Sequence, residues 1–357
     1  MIRTTLKILL MSVVVFLLVE FSYRAFVIGP SALNPFSSSS YTTLLASGFV
    51  KPGSTPDIYY ELKPNLNVEL RGVPLVTNSD GLADKEYSKQ KPDNTFRIAV
   101  VGSSWTMPAS IPMQDSFHWL VEDDLNASKA QRSDGLNYEV INFGVEFYGV
   151  GEILATIKHR VLDYEPDLII VALTGFTVNV FWQDYQEPFD AQDAGSKFMR
   201  SYILMQAGIT EPPMQQRITI PDELLEKGRY RQQLASFIHQ SKGLAEAAGV
   251  DIMYMSLGYR AWTWKNNTLM TDYAESLGFD YLDGAGEMER QGPLAVGVEY
   301  KVGRFDKHPN AMGHRLIADI LLAHLAKRPQ FSQLDPVTPL DRGEPLSLNR
   351  PDGDAGQ

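Results

Sequence analysis

Residues 167–173 read Asp167-Leu-Ile-Ile-Val-Ala-Leu173, an acidic residue followed by an unbroken apolar run with no polar alternation. Successive side chains of a strand point to opposite faces, so such a run must be buried on both, as a central strand of a parallel sheet is. Further short apolar runs follow the same logic: Arg97-Ile-Ala-Val-Val-Gly102, Tyr138-Glu-Val-Ile-Asn-Phe143, Val250–Leu257 and Phe279–Leu282. Helical spacing fills the gaps over Ser116–Leu125, Glu152–Leu162, Arg231–Ala248, Thr271–Leu277 and Asn310–Ala326, where Leu316, Ile317, Ile320 and Leu321 share one side. Strands alternating with helices predict an α/β fold: a three-layer α/β/α sandwich around a mainly parallel five-stranded sheet. In such folds ligand chemistry sits where strands end and helices begin.

Composition narrows that chemistry. Against 43 Asp and Glu there are 32 Lys and Arg, a net charge of −11 over 357 residues, the wrong sign for counterion release from a phosphate backbone. Nucleic acid is excluded as a partner on that basis. With no cysteine there is no thiolate nucleophile, disulfide or Cys-ligated metal, so covalent catalysis would use oxygen or nitrogen.

The chain divides into four parts. In residues 1–30, Arg3 and Lys7 precede the apolar run Ile8–Val19, and after Glu20 a second apolar stretch continues to Ile28. As a helix, Ile8–Ile28 spans roughly 30 Å, one hydrocarbon thickness, and no small-x-small cleavage site follows. The segment is therefore read as an uncleaved membrane anchor rather than a signal peptide. The basic residues ahead of it predict a cytoplasmic N-terminus, leaving the rest on the periplasmic or extracellular side of the cytoplasmic (inner) membrane. Glu20 and Arg24, at i and i+4, can pair with each other or contact a membrane-protein partner. Residues 31–95, with Gly, Pro and Ser clusters and short pieces such as Val68–Leu70, read as an irregular lead-in. Residues 96–327 hold the domain, with an insertion over 181–225, and 328–357, rich in Pro, Asp and Gly, are predicted to be disordered.

Four strand ends carry reactive or polar groups. After the first strand comes Gly102-Ser103-Ser104-Trp105, where a hydroxyl can stand beside backbone N–H groups that stabilise an oxyanion, or simply serve the turn. After the second comes Asn142-Phe-Gly144, then Phe147, Gly149 and Gly151. The Gly149-Val-Gly151 pair lacks the third glycine and the acidic residue of a dinucleotide loop, so no nucleotide cofactor is expected. Asn179 follows the third strand, as a site residue or a loop cap. Before the last helix stands Phe305-Asp306-Lys307-His308-Pro309-Asn310, in which Asp306 can orient His308 to accept a serine proton. Asp306, His308 and His314 could alternatively ligate a metal, but no further ligands support this, and neither metal nor cofactor is expected.

Taken together, in order and spacing, these motifs resemble the SGNH or GDSL-type serine hydrolases of the membrane-anchored bacterial kind. The resemblance covers about residues 55–326 and is carried by Asn78-Ser-Asp-Gly81, Phe96-Arg-Ile-Ala-Val-Val-Gly-Ser-Ser104, Tyr138-Glu-Val-Ile-Asn-Phe-Gly144, Tyr164-Glu-Pro-Asp-Leu-Ile-Ile170 and Asp306-Lys-His-Pro-Asn-Ala-Met-Gly-His314. It implies a flavodoxin-like sandwich, with Ser104 as nucleophile, His308 as base, Asp306 as its orienting acid, and an oxyanion hole of Ser104, Phe147 and Asn179. Three positions depart from the family pattern. Gly-Asp-Ser is here Gly102-Ser103-Ser104, the oxyanion glycine is Phe147, and Gly-x-Asn-Asp is Thr177-Val-Asn-Val180.

The expected function is a serine-dependent acyl-ester hydrolase or O-acyltransferase, acting on an ester or acylated carbohydrate. Trp182, Tyr185 and Phe189 in the insertion, and Tyr259, Trp262 and Trp264 after the fourth strand, suit a sugar ring or acyl chain, or pack a lid onto the domain. Because of Ser103, Phe147 and Val180, a non-catalytic, membrane-tethered binding or assembly module is the alternative.

Overall fold

The computed structural model describes residues 2–28, 44, 48–108, 110–127, 135–175, 177, 227–258, 268–291, 300–302 and 308–331. Strands are β1 (Val50–Pro52), β2 (Tyr60–Leu62), β3 (Asn67–Leu70), β4 (Val73–Val76), β5 (Thr95–Gly102), β6 (Asn137–Asn142), β7 (Leu168–Thr174), β8 (Asp251–Leu257) and β9 (Asp280–Leu282). Helices are α1 (Ile2–Ile28), α2 (Phe117–Ala127), α3 (Val150–Thr156), α4 (Lys227–Ala248), α5 (Thr268–Leu277), α6 (Gly284–Arg290) and α7 (Ala311–Leu325).

The apolar run Leu168–Leu173 lies in β7, buried at every position, in the middle of a five-stranded sheet ordered β6-β5-β7-β8-β9. Every pairing in that sheet is parallel, with Val100 opposite Asn142, Gly102 opposite Ala172, Thr174 opposite Leu257 and Met255 opposite Leu282. Strand alternation sorts the side chains into two cores. Ile98, Val100, Ile170, Met253 and Met255 face α2 and α7, while Ala99, Val101, Ile169, Val171 and Tyr254 face α3 and α4. The result is the three-layer sandwich, and its strand order is flavodoxin-like. Each large aliphatic side chain so buried contributes about 1.5–3 kcal/mol relative to exposure.

Three stretches differ from the sequence reading. Residues 31–95 are not merely irregular: β1 pairs with β2 and β3 with β4, both antiparallel, and Tyr60, Leu62, Leu70 and Leu75 join the same core as Val101 and Ile153. Arg71 and Gly72, at φ 56° and 82°, make the two-residue hairpin turn between β3 and β4. The helix expected over Glu152–Leu162 is α only to Thr156. It then widens into a π stretch, Ile157–Val161, and tightens into a 3-10 turn, Leu162–Tyr164. The body also ends later than expected, since Pro329–Phe331 form a 3-10 turn and Phe331 is buried against Phe96 and Tyr138, with ring centroids 5.2 and 5.7 Å away. Residues 332–357 lie outside the described residues.

Within α1, Arg3–Tyr23 has a mean hydropathy of 2.1 and is long and apolar enough to cross a membrane or to act as a signal sequence. Glu20 is its buried exception, at 3% exposure, and the side chain of Arg24 lies outside the described residues.

Candidate active site

The parallel order places the carboxyl ends of β5 and β7 side by side, and β5 ends in a sharp turn. A Cβ at Gly102 would lie 2.1 Å from Thr106 Oγ1 and 2.8 Å from the Ala172 carbonyl, so a side chain there would displace one or the other. The Ser103 carbonyl accepts the N–H groups of Thr106 and Met107, each at 2.9 Å, folding the chain back under Ser104. Ser104 is half-buried, and its Oγ lies 2.9 Å from His308 Nε2, on a residue 204 positions later. With hydrogen on Nδ1, Nε2 accepts the serine proton.

His308 is held from both sides. Its carbonyl accepts the Val302 N–H at 2.9 Å, and Lys301 bridges Pro309. Asn310 then caps α7: its Oδ1 accepts the Gly313 N–H at 3.0 Å, while its Nδ2 donates to the Lys301 carbonyl at 3.0 Å. A helix cap and a short antiparallel bridge thus fix the imidazole next to a hydroxyl delivered by the sheet.

Beside the serine, Ser103 Oγ and Thr177 Oγ1 lie 3.0 Å apart, and both residues are fully buried. Thr177 Oγ1 is also 2.8 Å from Thr174 Oγ1, at the end of β7. This hydroxyl chain ties the two strand ends together.

The turn after β6 flanks the same loop. Val145 N–H donates to the Gly102 carbonyl at 3.3 Å, Glu146 N–H to Met107 Sδ at 3.4 Å, and Tyr148 N–H closes the turn on the Val145 carbonyl at 3.2 Å. Phe147, third in that turn, has φ 68°, the left-handed region that usually calls for glycine. The phenylalanine therefore keeps the backbone angle a glycine would adopt, and its ring packs on the core cluster that includes Tyr148 and Val145.

A second polar cluster, of which the motifs contain only Asn142, lies deeper. Asp84 Oδ2 accepts the Asn142 N–H at 2.8 Å and stands 3.6 Å from His118 Nε2, while His118 Nδ1 is 3.0 Å from Ser116 Oγ. Asn142 Oδ1 accepts the Gly144 N–H at 2.8 Å, and Nδ2 donates to the Thr106 carbonyl at 3.0 Å. Although Ser116, His118 and Asp84 have the residue types of a hydrolytic triad, Ser116 is 0% exposed and donates to the Met113 carbonyl, so this cluster is framework. His314 is buried beside it, stacked on Phe117, with Nδ1 accepting the Phe117 N–H at 3.2 Å. Burial, with His118 and His308 nearby, pushes its imidazole down to about 3, so it is neutral near neutral pH. That Nδ1 bond also commits one His314 nitrogen away from any metal.

Of the site residues named from sequence, Ser104 and His308 are within bonding reach, and the turn bearing Phe147 lies beside the Ser104 loop. Asp306, Asn179, Trp182, Tyr185, Phe189, Tyr259, Trp262 and Trp264 lie outside the described residues. Among the described residues no group of three His, Asp or Glu side chains could hold a metal ion.

No protein-family model matches the chain, and no curated protein does. Among solved structures it is similar to an α/β hydrolase enzyme from the metagenome of Lake Arreo, Spain, at 17% identity over 64% of this chain and 94% of that one, with a TM-score of 0.41. A catalytic mutant of an acetylxylan esterase from Geobacillus stearothermophilus matches at 16% identity over 64% and 94%, with a TM-score of 0.39. A member of the lipolytic G-D-S-L family from Veillonella parvula matches at 12% identity over 65% and 100%, with a TM-score of 0.40.

Proposed function

We propose that this chain is a serine-dependent acyl-ester hydrolase or O-acyltransferase of the SGNH kind. The observation that carries the reading is the 2.9 Å approach of Ser104 Oγ to His308 Nε2 at the carboxyl ends of the strands. His308 Nε2 takes the Ser104 proton as Oγ bonds to the ester carbonyl carbon, whose oxygen becomes an oxyanion. Donors for that oxyanion are the N–H groups of Ser104 and Phe147 and the side-chain amide of Asn179. The intermediate collapses with cleavage of the bond to the leaving alkoxide, which receives the proton from His308, and an acyl-enzyme remains. Water then attacks it, releasing an acid, or a sugar hydroxyl does, yielding a new ester. In either case His308 removes the attacking proton and returns it to Ser104, while Asp306 orients the ring.

An ester of an acylated carbohydrate is the favoured substrate class, with Trp182, Tyr185, Trp262 and Trp264 as the surfaces for a sugar ring or acyl chain. The apolar helix supports a single-pass anchor over residues 1–30, with the remainder on the far side of the cytoplasmic membrane and a membrane-protein partner for that helix. A net charge of −11 argues against nucleic acid.

The test is a fluorophosphonate probe applied to the purified full-length protein in detergent. Labelling of the wild type but of neither Ser104→Ala nor His308→Ala supports the enzyme. No labelling at high probe concentration overturns it in favour of a non-catalytic, membrane-tethered binding or assembly module.

A further inference from the structure

The turn next to Ser104 is gripped by a part of the chain that lies well before the first site motif. Tyr60, in β2, donates its hydroxyl to the Glu146 carbonyl, and Arg71, in the β3–β4 turn, places its guanidinium on the Glu146 carboxylate. Tyr148 returns the contact, its hydroxyl donating to the Tyr60 carbonyl at 2.6 Å, with the two rings edge to face at 5.6 Å. Glu146 and Tyr60 are 0% exposed, and the Arg71 side chain retains 5%. The residue between Glu146 and Tyr148 is Phe147, the one with φ 68°. A residue with a Cβ disfavours that angle and keeps it only where its surroundings over-determine it.

We infer that Tyr60 and Arg71 are positioning residues for catalysis: by fixing Glu146 they hold Phe147 at its left-handed angle and so keep its amide aimed for the oxyanion. This rests on the esterase reading above, in which that amide is a donor. Glycine at 147 needs no such restraint. A chain with phenylalanine there does, and the β1–β4 segment supplies it through buried groups.

The experiment compares Tyr60→Phe and Arg71→Gln in the full-length protein, each with Phe147 retained and each combined with Phe147→Gly. Hydrolysis of p-nitrophenyl acetate and the rate of fluorophosphonate labelling are read alongside the melting temperature. Losing one oxyanion donor typically lowers rate on the order of 100-fold, so misaiming one should lower kcat roughly tenfold or more, with KM little changed. In the Phe147→Gly background the same substitutions should lower kcat several-fold less. Should Arg71→Gln fail to fold, Tyr60→Phe, which removes a single oxygen, carries the comparison alone. Wild-type turnover in Tyr60→Phe, or equal losses in both backgrounds, overturns the inference while leaving the esterase reading intact. Absence of labelling in the wild type overturns both.

Discussion

Ser103 Oγ and Thr177 Oγ1 lie 3.0 Å apart, 74 residues separated in sequence, and they join two positions at which this chain departs from the SGNH pattern. Where that pattern has an aspartate and a glycine, this chain has two hydroxyls that bond each other. Each hydroxyl is the partner that the other, buried, needs.

That pairing predicts a coupling. Ser103→Ala and Thr177→Val should each destabilise by about 1 kcal/mol, and the double variant by less than their sum. Ser103→Asp, by placing a carboxylate where exposure is 1%, should cost about 3 kcal/mol or more. Urea unfolding of the four variants reads this directly.

Acid should destabilise the fold through His314. Its folded value of about 3 lies below the ordinary 6.5, so between those limits the unfolded chain holds a proton that the native protein does not. Stability is therefore complete above the upper limit and lost as pH falls toward the lower one, by several kcal/mol when the window is crossed. Unfolding free energy measured across this range should flatten in His314→Asn.

Glu152 predicts the opposite slope. Its Oε2 accepts the Gly149 N–H at 3.0 Å, and burial raises its carboxyl from 4.5 to about 8 against the pull of that bond. The native protein keeps this proton where the unfolded chain has lost it. The contribution is full below the lower value and disappears as pH rises to the upper one. Glu152→Gln should remove the decline, so the variant should overtake the wild type in unfolding free energy above pH 8.

Phe331 should matter despite its place in a Pro-rich tail. It is 1% exposed and packs on both Phe96 and Tyr138. Phe331→Ala should cost about 3–5 kcal/mol by thermal or urea unfolding.

What could be read in advance had a period or a spacing. The apolar run before Thr174 announced a strand buried on both faces, and the paired positions of Ser104 and His308 announced a meeting that the fold accomplishes across 204 residues. The Phe147 backbone angle was legible only as a conflict, a bulky residue where glycine is usual. The grip on Glu146 had no signature, because Tyr60 and Arg71 reach it from 86 and 75 residues away through isolated polar atoms. The Asp84–His118–Asn142 cluster has no signature either, since its members come from a loop, a helix and a strand and share no motif. For Phe331, composition describes the polar and Pro-rich neighbours and not the ring itself.

The β1–β4 segment also decides where this protein can be cut. A chain begun at Phe96, at the onset of the recognisable motifs, would keep all five strands of the sheet along with Ser104 and His308. It would also lay bare the core face that Leu62, Leu70 and Leu75 cover, and would leave Glu146 without the tyrosine and arginine that seat it. An excised unit should therefore begin no later than Leu44, which is itself fully buried in that core.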